Sequence, residues 1–205
     1  MDEANGVAPP GAGAGAEGDA PLGTAHLPVS CDGAVQEEFD RGVALLHHMT
    51  YPQARQTFER VAAADPECAM AHWGIAMTLF QPMWPTRPGP EALARGWREV
   101  EQALAPPTPR ESLYVATTEA FFRDPEAADY QTRIARWERA AEALHRAHPE
   151  DREAAALYAL AHLATAPISG GSLAHHERAG EILLGIYRQE PTHAGAIHYT
   201  TTRTT

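Results

Sequence analysis

The sequence contains no lysine, and all 16 of its basic residues are arginines. The 27 acidic residues outnumber them, which gives a formal net charge of -11 at pH 7. A nucleic-acid-binding surface needs clustered basic side chains that displace counterions from phosphates. The charge balance therefore argues against a nucleic-acid partner.

Long apolar runs are also absent from the sequence. No stretch approaches the roughly 18 consecutive apolar residues of a membrane-spanning helix. The first residues show no basic segment followed by an apolar one, which is the pattern of a secretory signal. We therefore expect no membrane span and a cytoplasmic location for the chain as written. An exported form that carries a leader remains an open alternative.

Motifs that carry chemistry are equally scarce. The sequence has no nucleophile elbow, phosphate-binding loop, Cys-His pairing or dinucleotide fingerprint. It therefore predicts neither an enzyme nor a cofactor.

The composition divides the chain into three parts. Residues 1–29 are rich in Gly, Ala and Pro, with few large apolar side chains. Such a segment cannot bury enough surface to offset its ordering entropy, so we expect it to be disordered. Residues 30–199 carry helical periodicity, and residues 200–205, which are mostly Thr, form an irregular tail.

One helical pattern recurs through residues 30–199. Ala54, Phe58 and Val61 lie 12, 8 and 5 residues before Pro66 and share one face of a helix. The same offsets before Pro149 and Pro191 give Trp137, Ala141 and Leu144, then Ala179, Leu183 and Ile186. Before Pro106-Pro107 the matching face, one residue out of register, is Leu93, Trp97 and Val100. The prolines are about 41 to 43 residues apart. This periodicity predicts an all-α solenoid of about four antiparallel helical hairpins.

The first hairpin resembles the tetratricopeptide repeat (TPR). Gly42, Ala54, Phe58 and Pro66 stand at the mutual spacings of the small, Ala, aromatic and Pro positions of that motif. The period exceeds the usual 34 residues and suits HEAT repeats as well, but the Ala-aromatic-Pro spacing favours the TPR. The resemblance implies a right-handed superhelix.

Several runs also resemble a bacterial family of TPR proteins of unknown activity. These runs are LPVSCDGAVQEEFDRGVALLHHMTY, DPECAMAHWGIAM, QPMWP and THAGAIHY. In that family, helical repeats continue beyond the last run, whereas this chain continues with Thr200–Thr205. We interpret this tail as the product of a one-base frameshift that truncates a fifth hairpin. An array that ends there leaves an apolar face uncovered, through which self-association is an expectation.

Two cysteines, Cys31 and Cys68, are too few for a disulfide scaffold and lack zinc-ligand spacing. In a stacked array both would lie near the starts of successive first helices. Two alternatives therefore remain open, namely two ordinary thiols or a disulfide between them.

The resemblance places the first helix of each hairpin on a concave groove. We predict that this groove binds an extended apolar peptide or a helix of a protein partner. It lacks the Lys and Arg side chains that would hold a C-terminal carboxylate. The predicted lining is Phe39, His47, Trp73, Met77, Phe80, Tyr114, Thr118 and Phe121. The alternative, that such side chains are core between repeats, is favoured for Val43, Leu46 and Leu160.

The 11 histidines suggest a second hypothesis for function. No two of them form a His-x-x-x-His pair with an accompanying acid, the pattern of many zinc enzymes, so we assign no metal ligand. Stacking of the hairpins could still bring His47, His72 and His198 together. The alternative function is therefore a fragment of a larger protein with a His-lined, metal-dependent site.

Overall fold

The computed structural model describes residues 22–84, 86–106, 108–124, 126–169 and 172–201. Over these ranges the chain forms nine α-helices and no β-strand, which confirms the all-α prediction. The helices are α1 (Gln36–His47), α2 (Tyr51–Ala64), α3 (Ala69–Met77), α4 (Pro90–Ala103), α5 (Pro109–Phe122), α6 (Tyr130–Ala147), α7 (Arg152–Ser169), α8 (Ser172–Gln189) and α9 (Ala194–Thr201). Among the described residues, no helix has the length and apolarity needed to cross a membrane.

Three of the described helical segments begin at a capping side chain. Asp32 accepts a hydrogen bond from the backbone N–H of Ala34 and caps a short 3-10 helix that precedes α1. Thr108 caps α5 and Asp129 caps α6 in the same way. These side chains satisfy backbone donors that have no partner inside the helix.

The repeated face packs as its spacing predicts. Each residue of the sets that precede Pro66, Pro149 and Pro191 has at most 4% of its surface exposed. In the second set, which precedes Pro106, Val100 is fully buried and Leu93 and Trp97 are half-buried. These faces form the core between neighbouring helices.

The ring of Phe58 lies so close to two helical positions that both are occupied by glycine. A Cβ atom added to Gly42 would lie 2.6 Å from the ring of Phe58, and one added to Gly74 would lie 2.5 Å from it. Phe58 is on α2, and the two glycines are on α1 and α3. The absence of both side chains therefore lets three helices close around one aromatic ring.

The order of helix contacts positions the site described below. Each helix packs on the next one along the chain, from α1 to α9. The odd-numbered helices α1 and α3, α3 and α5, and α7 and α9 also touch each other. In addition α9 contacts α1, which brings the far end of the helical region back to its start.

Candidate functional site

The side chains predicted to line an open groove are all buried in the structure, each with at most 5% of its surface exposed: Phe39, His47, Trp73, Met77, Phe80, Tyr114, Thr118 and Phe121. Phe80 stacks on Phe121 with ring centroids 4.1 Å apart. Trp73 meets the ring of Tyr114 edge-on at 5.4 Å. These residues are therefore covered, and none of them lines a groove that is open to solvent.

A segment ahead of the helices lies across the odd-numbered ones. We call residues 22–30 the N-terminal strap. The carbonyl oxygen of Leu22 is hydrogen-bonded to the ring of His48 at the end of α1. The N–H of Val29 donates to the side chain of Gln36 at the start of α1, so the strap runs antiparallel to this helix. Twelve helical residues rise about 18 Å, a length that seven strap residues span only when extended.

The strap also revises the predicted boundary of the ordered part. The sequence assigns residues 1–29 to disorder, whereas the structure places residues 22–29 against the helices. Leu27 is fully buried. The average composition of residues 1–29 does not reveal this one buried apolar side chain. Residues 1–21 of that prediction lie outside the described residues, as do residues 202–205 of the predicted tail.

Two side chains of α1 hold the backbone of the strap. Asp40 accepts a hydrogen bond of 3.0 Å from the N–H of Leu27. The amide of Gln36 donates to the carbonyl oxygen of Leu27 at 3.0 Å and accepts from the N–H of Val29 at 3.1 Å. Gln36 therefore satisfies two strap groups that face the same way, as a neighbouring β-strand would.

Helices α5 and α7 contribute three further bonds to the strap backbone. Arg110 donates to the carbonyl oxygen of Pro28 at 2.8 Å. Glu111 accepts from the N–H of Ser30 at 2.6 Å, and Glu153 accepts from the N–H of His26 at 3.1 Å. Charged partners make such bonds stronger than neutral ones.

The start of the strap pairs with the turn before α9. The N–H of Thr24 donates to the carbonyl oxygen of Thr192 at 2.7 Å, and the N–H of Ala194 donates to the carbonyl oxygen of Thr24 at 2.8 Å. Gly23 has a φ of 73°. A Cβ atom on it would lie 2.6 Å from the oxygen of Thr192, so only glycine suits this position.

The side chain of Leu27 is the apolar anchor of the strap. It borders a small enclosed cavity of about 20 Å³, which would hold about one water molecule. Four of the predicted groove residues, namely His47, Trp73, Met77 and Tyr114, border the same cavity. Leu27 therefore inserts among part of the side chains that the sequence predicts to be a binding surface.

Beneath the strap lies a buried polar cluster centred on Glu153. The Nε2 atom of His47 is 2.6 Å from Oε2 of Glu153, and Nε2 of His193 is 3.3 Å from Oε1. The other ring nitrogen of His47 is 3.0 Å from the hydroxyl oxygen of Tyr199. The cluster thus connects α1, α7 and α9 within the core.

Hydrogen bonding fixes the proton on His193. Its Nδ1 atom accepts a 3.2 Å hydrogen bond from the N–H of Ala196 in the first turn of α9. A neutral His193 ring therefore carries its proton on Nε2, the atom that faces Glu153. That atom is buried and lacks hydrogen-bond geometry to the carboxylate despite the short distance.

The environment of Glu153 favours its ionised form. Burial opposes ionisation, but the neighbouring His47 and His193 outweigh it and hold the pKa of Glu153 well below its ordinary value. Burial raises the pKa of Tyr199 well above its ordinary value, and Tyr51 and Glu153 add to this shift. The cluster therefore contains an anionic carboxylate and a neutral phenol at neutral pH.

The structure brings together part of the expected histidine group. His47 and His198 both lie next to Tyr199, with ring centroids 5.5 and 6.1 Å from it. His72 instead pairs with Glu99 of α4 at 2.8 Å. The expected trio of His47, His72 and His198 therefore does not form one ligand set.

Of the two alternatives for the cysteines, the structure has the disulfide. Cys31 and Cys68 are bonded, with Cα atoms 4.9 Å apart. Cys31 immediately follows the strap, and Cys68 stands at the N-cap of α3. The bridge therefore ties the end of the strap to the start of α3.

Sequence reasoning missed most of the residues that hold the strap. Gln36, Asp40, Glu111 and Glu153 look like ordinary polar residues of helix N-terminal halves, where carboxylates favour the helix dipole. One signal was available: Leu27 and Val29 interrupt an otherwise Gly/Ala/Pro-rich segment. Nothing in that signal names the partners, because Glu111 and Glu153 are 81 and 127 residues from the groups they bind.

Comparison of the chain with family models, curated proteins and solved structures gave no match. Its function is therefore argued from its own residues.

Proposed function

We propose that the chain is a TPR-like superhelix of about four hairpins that binds an extended apolar peptide across its odd-numbered helices. In this proposal, residues 22–30 occupy the site as an intramolecular ligand. The observation that carries it is the way the strap is held, with backbone groups bonded to side chains and one leucine fully buried. Extended peptides are commonly recognised by backbone hydrogen bonds together with a pocket for an anchor side chain.

The pattern of bonds defines the peptide that would fit. The N–H groups of His26, Leu27, Val29 and Ser30 meet acceptors, and the carbonyl groups of Leu27 and Pro28 meet donors. Pro28 has no N–H, so a proline after the anchor leaves no donor unpaired. The expected partner is an extended segment with a leucine-sized anchor followed by proline.

The intramolecular ligand makes binding of a second peptide a competition. A tethered segment acts at an effective concentration that is commonly in the millimolar range for short linkers. A free peptide therefore binds only after the strap is weakened. Replacing Leu27 with alanine removes the anchor, at a cost of about 2 to 5 kcal/mol for a fully buried leucine.

The test uses the full chain with Leu27→Ala and a fluorescent peptide that copies residues 22–30. Fluorescence anisotropy should show binding to the variant and little binding to the wild type. A peptide with alanine at the anchor should not bind. Leu184→Ala, at an exposed leucine of α8, serves as the matched control and should behave as the wild type does. If a Leu27→Ala chain with unchanged circular dichroism fails to bind the peptide, the proposal is wrong.

A further inference from the structure

Helices α6, α7 and α8 each contribute one metal-binding side chain to a common point, away from the residues that hold the strap. Glu138 is on α6, His162 on α7 and His175 on α8. The Nδ1 atom of His162 is 3.0 Å from Oε1 of Glu138 and 3.1 Å from Nδ1 of His175. The Nδ1 atom of His175 is 3.5 Å from the same carboxylate oxygen. Two ring nitrogens and one oxygen therefore face each other at nearly equal distances.

Neutral rings do not make both short contacts of His162 linear hydrogen bonds at once. If the Nδ1 proton of His162 points to Glu138, Nδ1 of His175 lies 3.1 Å from His162 without a proton between them. If His175 instead donates to His162, the 3.0 Å contact between His162 and Glu138 has no proton. Nδ1 of His175 also lies 3.3 Å from the hydroxyl oxygen of Thr165, which donates its proton to the carbonyl oxygen of Ala161 at 2.9 Å. A single cation at the centre would use all three lone pairs at once.

The distances suit a small transition-metal ion. Zinc binds histidine nitrogen and carboxylate oxygen at about 2.0 to 2.2 Å, so the edge of its ligand tetrahedron is about 3.3 Å. The three separations of 3.0, 3.1 and 3.5 Å lie around that value. Two histidines with one glutamate is also a donor set used by zinc enzymes.

Access distinguishes this group from the cluster around Glu153. The side chains of Glu138, His162 and His175 are 20%, 13% and 22% exposed, so an ion can reach them. Among the described residues, no further His, Cys, Asp or Glu joins this group. Three protein ligands leave one tetrahedral position for water or a small anion, which is the arrangement of open zinc sites.

We propose that Glu138, His162 and His175 bind one zinc-class divalent ion, with the fourth position open to an exogenous ligand. When Nδ1 of His162 coordinates the ion, its ring proton resides on Nε2, which is buried and makes no hydrogen bond. This site is separate from the peptide site and does not depend on it. It also differs from the expected trio of His47, His72 and His198.

The experiment titrates the full chain, freed of metal, with Co²⁺ and Zn²⁺ alone. Co²⁺ should produce visible absorption bands that saturate at one equivalent, and Zn²⁺ should displace it. Adding thiocyanate to the Co²⁺ form should change the bands, because the anion replaces water at the open position. If Co²⁺ saturates at one equivalent but thiocyanate has no effect, the metal site stands and the open fourth position is wrong.

Variants assign the binding to these residues. His175→Ala and Glu138→Gln should each weaken Co²⁺ binding by more than the roughly 10- to 100-fold that loss of a supporting residue costs. His176→Ala, at the next residue of α8, should leave the affinity unchanged. Circular dichroism checks that each variant is folded. The proposal fails if no equivalent binds, if His175→Ala binds as the wild type does, or if binding is lost in His47→Ala instead.

Discussion

His47 and Glu153, which are 106 residues apart in the chain, are joined by a 2.6 Å hydrogen bond between Nε2 and Oε2 inside the core. The side chains are only 7% and 4% exposed. His47 is on α1 and Glu153 is on the first turn of α7. Since Glu153 also binds the strap, one carboxylate links the start of the helical region to its last third.

We expect His47→Ala to lower the free energy of unfolding by about 3 to 5 kcal/mol. The variant removes the closest partner of the buried Glu153 carboxylate, and loss of one partner of a buried pair accounts for the size of the effect. Urea denaturation measures it through the transition midpoint. His26→Ala is the control, because its 63% exposed side chain pairs with Asp40 and should contribute about 0 to 1 kcal/mol. Equal losses in the two variants would contradict this prediction.

The lowered pKa of Glu153 makes the stability of the fold depend on pH. Burial disfavours the ionised form of Glu153, but His47 and His193 outweigh it and hold its pKa well below its ordinary value. A depressed folded-state pKa contributes stability that is present above the unfolded-state pKa of about 4.3 and is lost as the pH falls below it. Unfolding midpoints measured from about pH 6 down to pH 3 should therefore fall more steeply in the wild type than in Glu153→Gln. Parallel curves would show that Glu153 is not responsible.

The helical core could be predicted from sequence because its determinants are local and periodic. The spacing of Ala54, Phe58 and Val61 fixes one helix face, and Gly42 stands where a hairpin needs a small residue. Each of these inferences uses residues within one or two neighbouring helices. Their burial in the structure confirms the predicted face.

The strap and its partners could not be predicted, because their determinants are distant and non-periodic. Leu27 lies in a segment whose average composition indicates disorder. Its order depends on Asp40, Glu111 and Glu153, which belong to three different helices. The burial of the predicted groove residues was missed for a related reason: helix register assigns residues to helix faces, but it cannot show that other helices and the strap cover them.

The contact between Gly74 and Phe58 provides a test of close helix packing. Gly74→Ala should lower the free energy of unfolding by about 1 to 3 kcal/mol, because the new Cβ would lie 2.5 Å from a fully buried ring. Gly185→Ala on α8 is the matched control, since nothing lies within 4 Å of its added Cβ. There the better helix propensity of alanine should raise stability by up to about 1 kcal/mol. Urea denaturation of both variants should therefore give changes of opposite sign, and changes of the same sign would contradict the packing around Phe58.

The disulfide predicts a redox-dependent stability. Cys31 and Cys68 are 37 residues apart, and a crosslink across a loop of that length stabilises a fold by about 2 to 4 kcal/mol. The double variant Cys31→Ala with Cys68→Ala should show this loss in urea. Adding a dithiol reductant should lower the stability of the wild type and leave the variant unchanged. A wild type that does not respond, although thiol titration shows two free cysteines, would contradict the prediction.

Gly23 gives a way to loosen the strap without touching the core. At a φ of 73°, alanine is strained, and its Cβ would lie 2.6 Å from the carbonyl oxygen of Thr192. Gly23→Ala should therefore break the paired hydrogen bonds between Thr24 and the turn before α9. Hydrogen exchange should show faster exchange of the Thr24 and Ala194 amides than in the wild type. The amide of Phe58 should keep its protection, because it belongs to the helical core. Unchanged exchange at Thr24 would contradict the paired geometry, whereas a uniform rise across the chain would mean that the strap and the helices unfold as one unit.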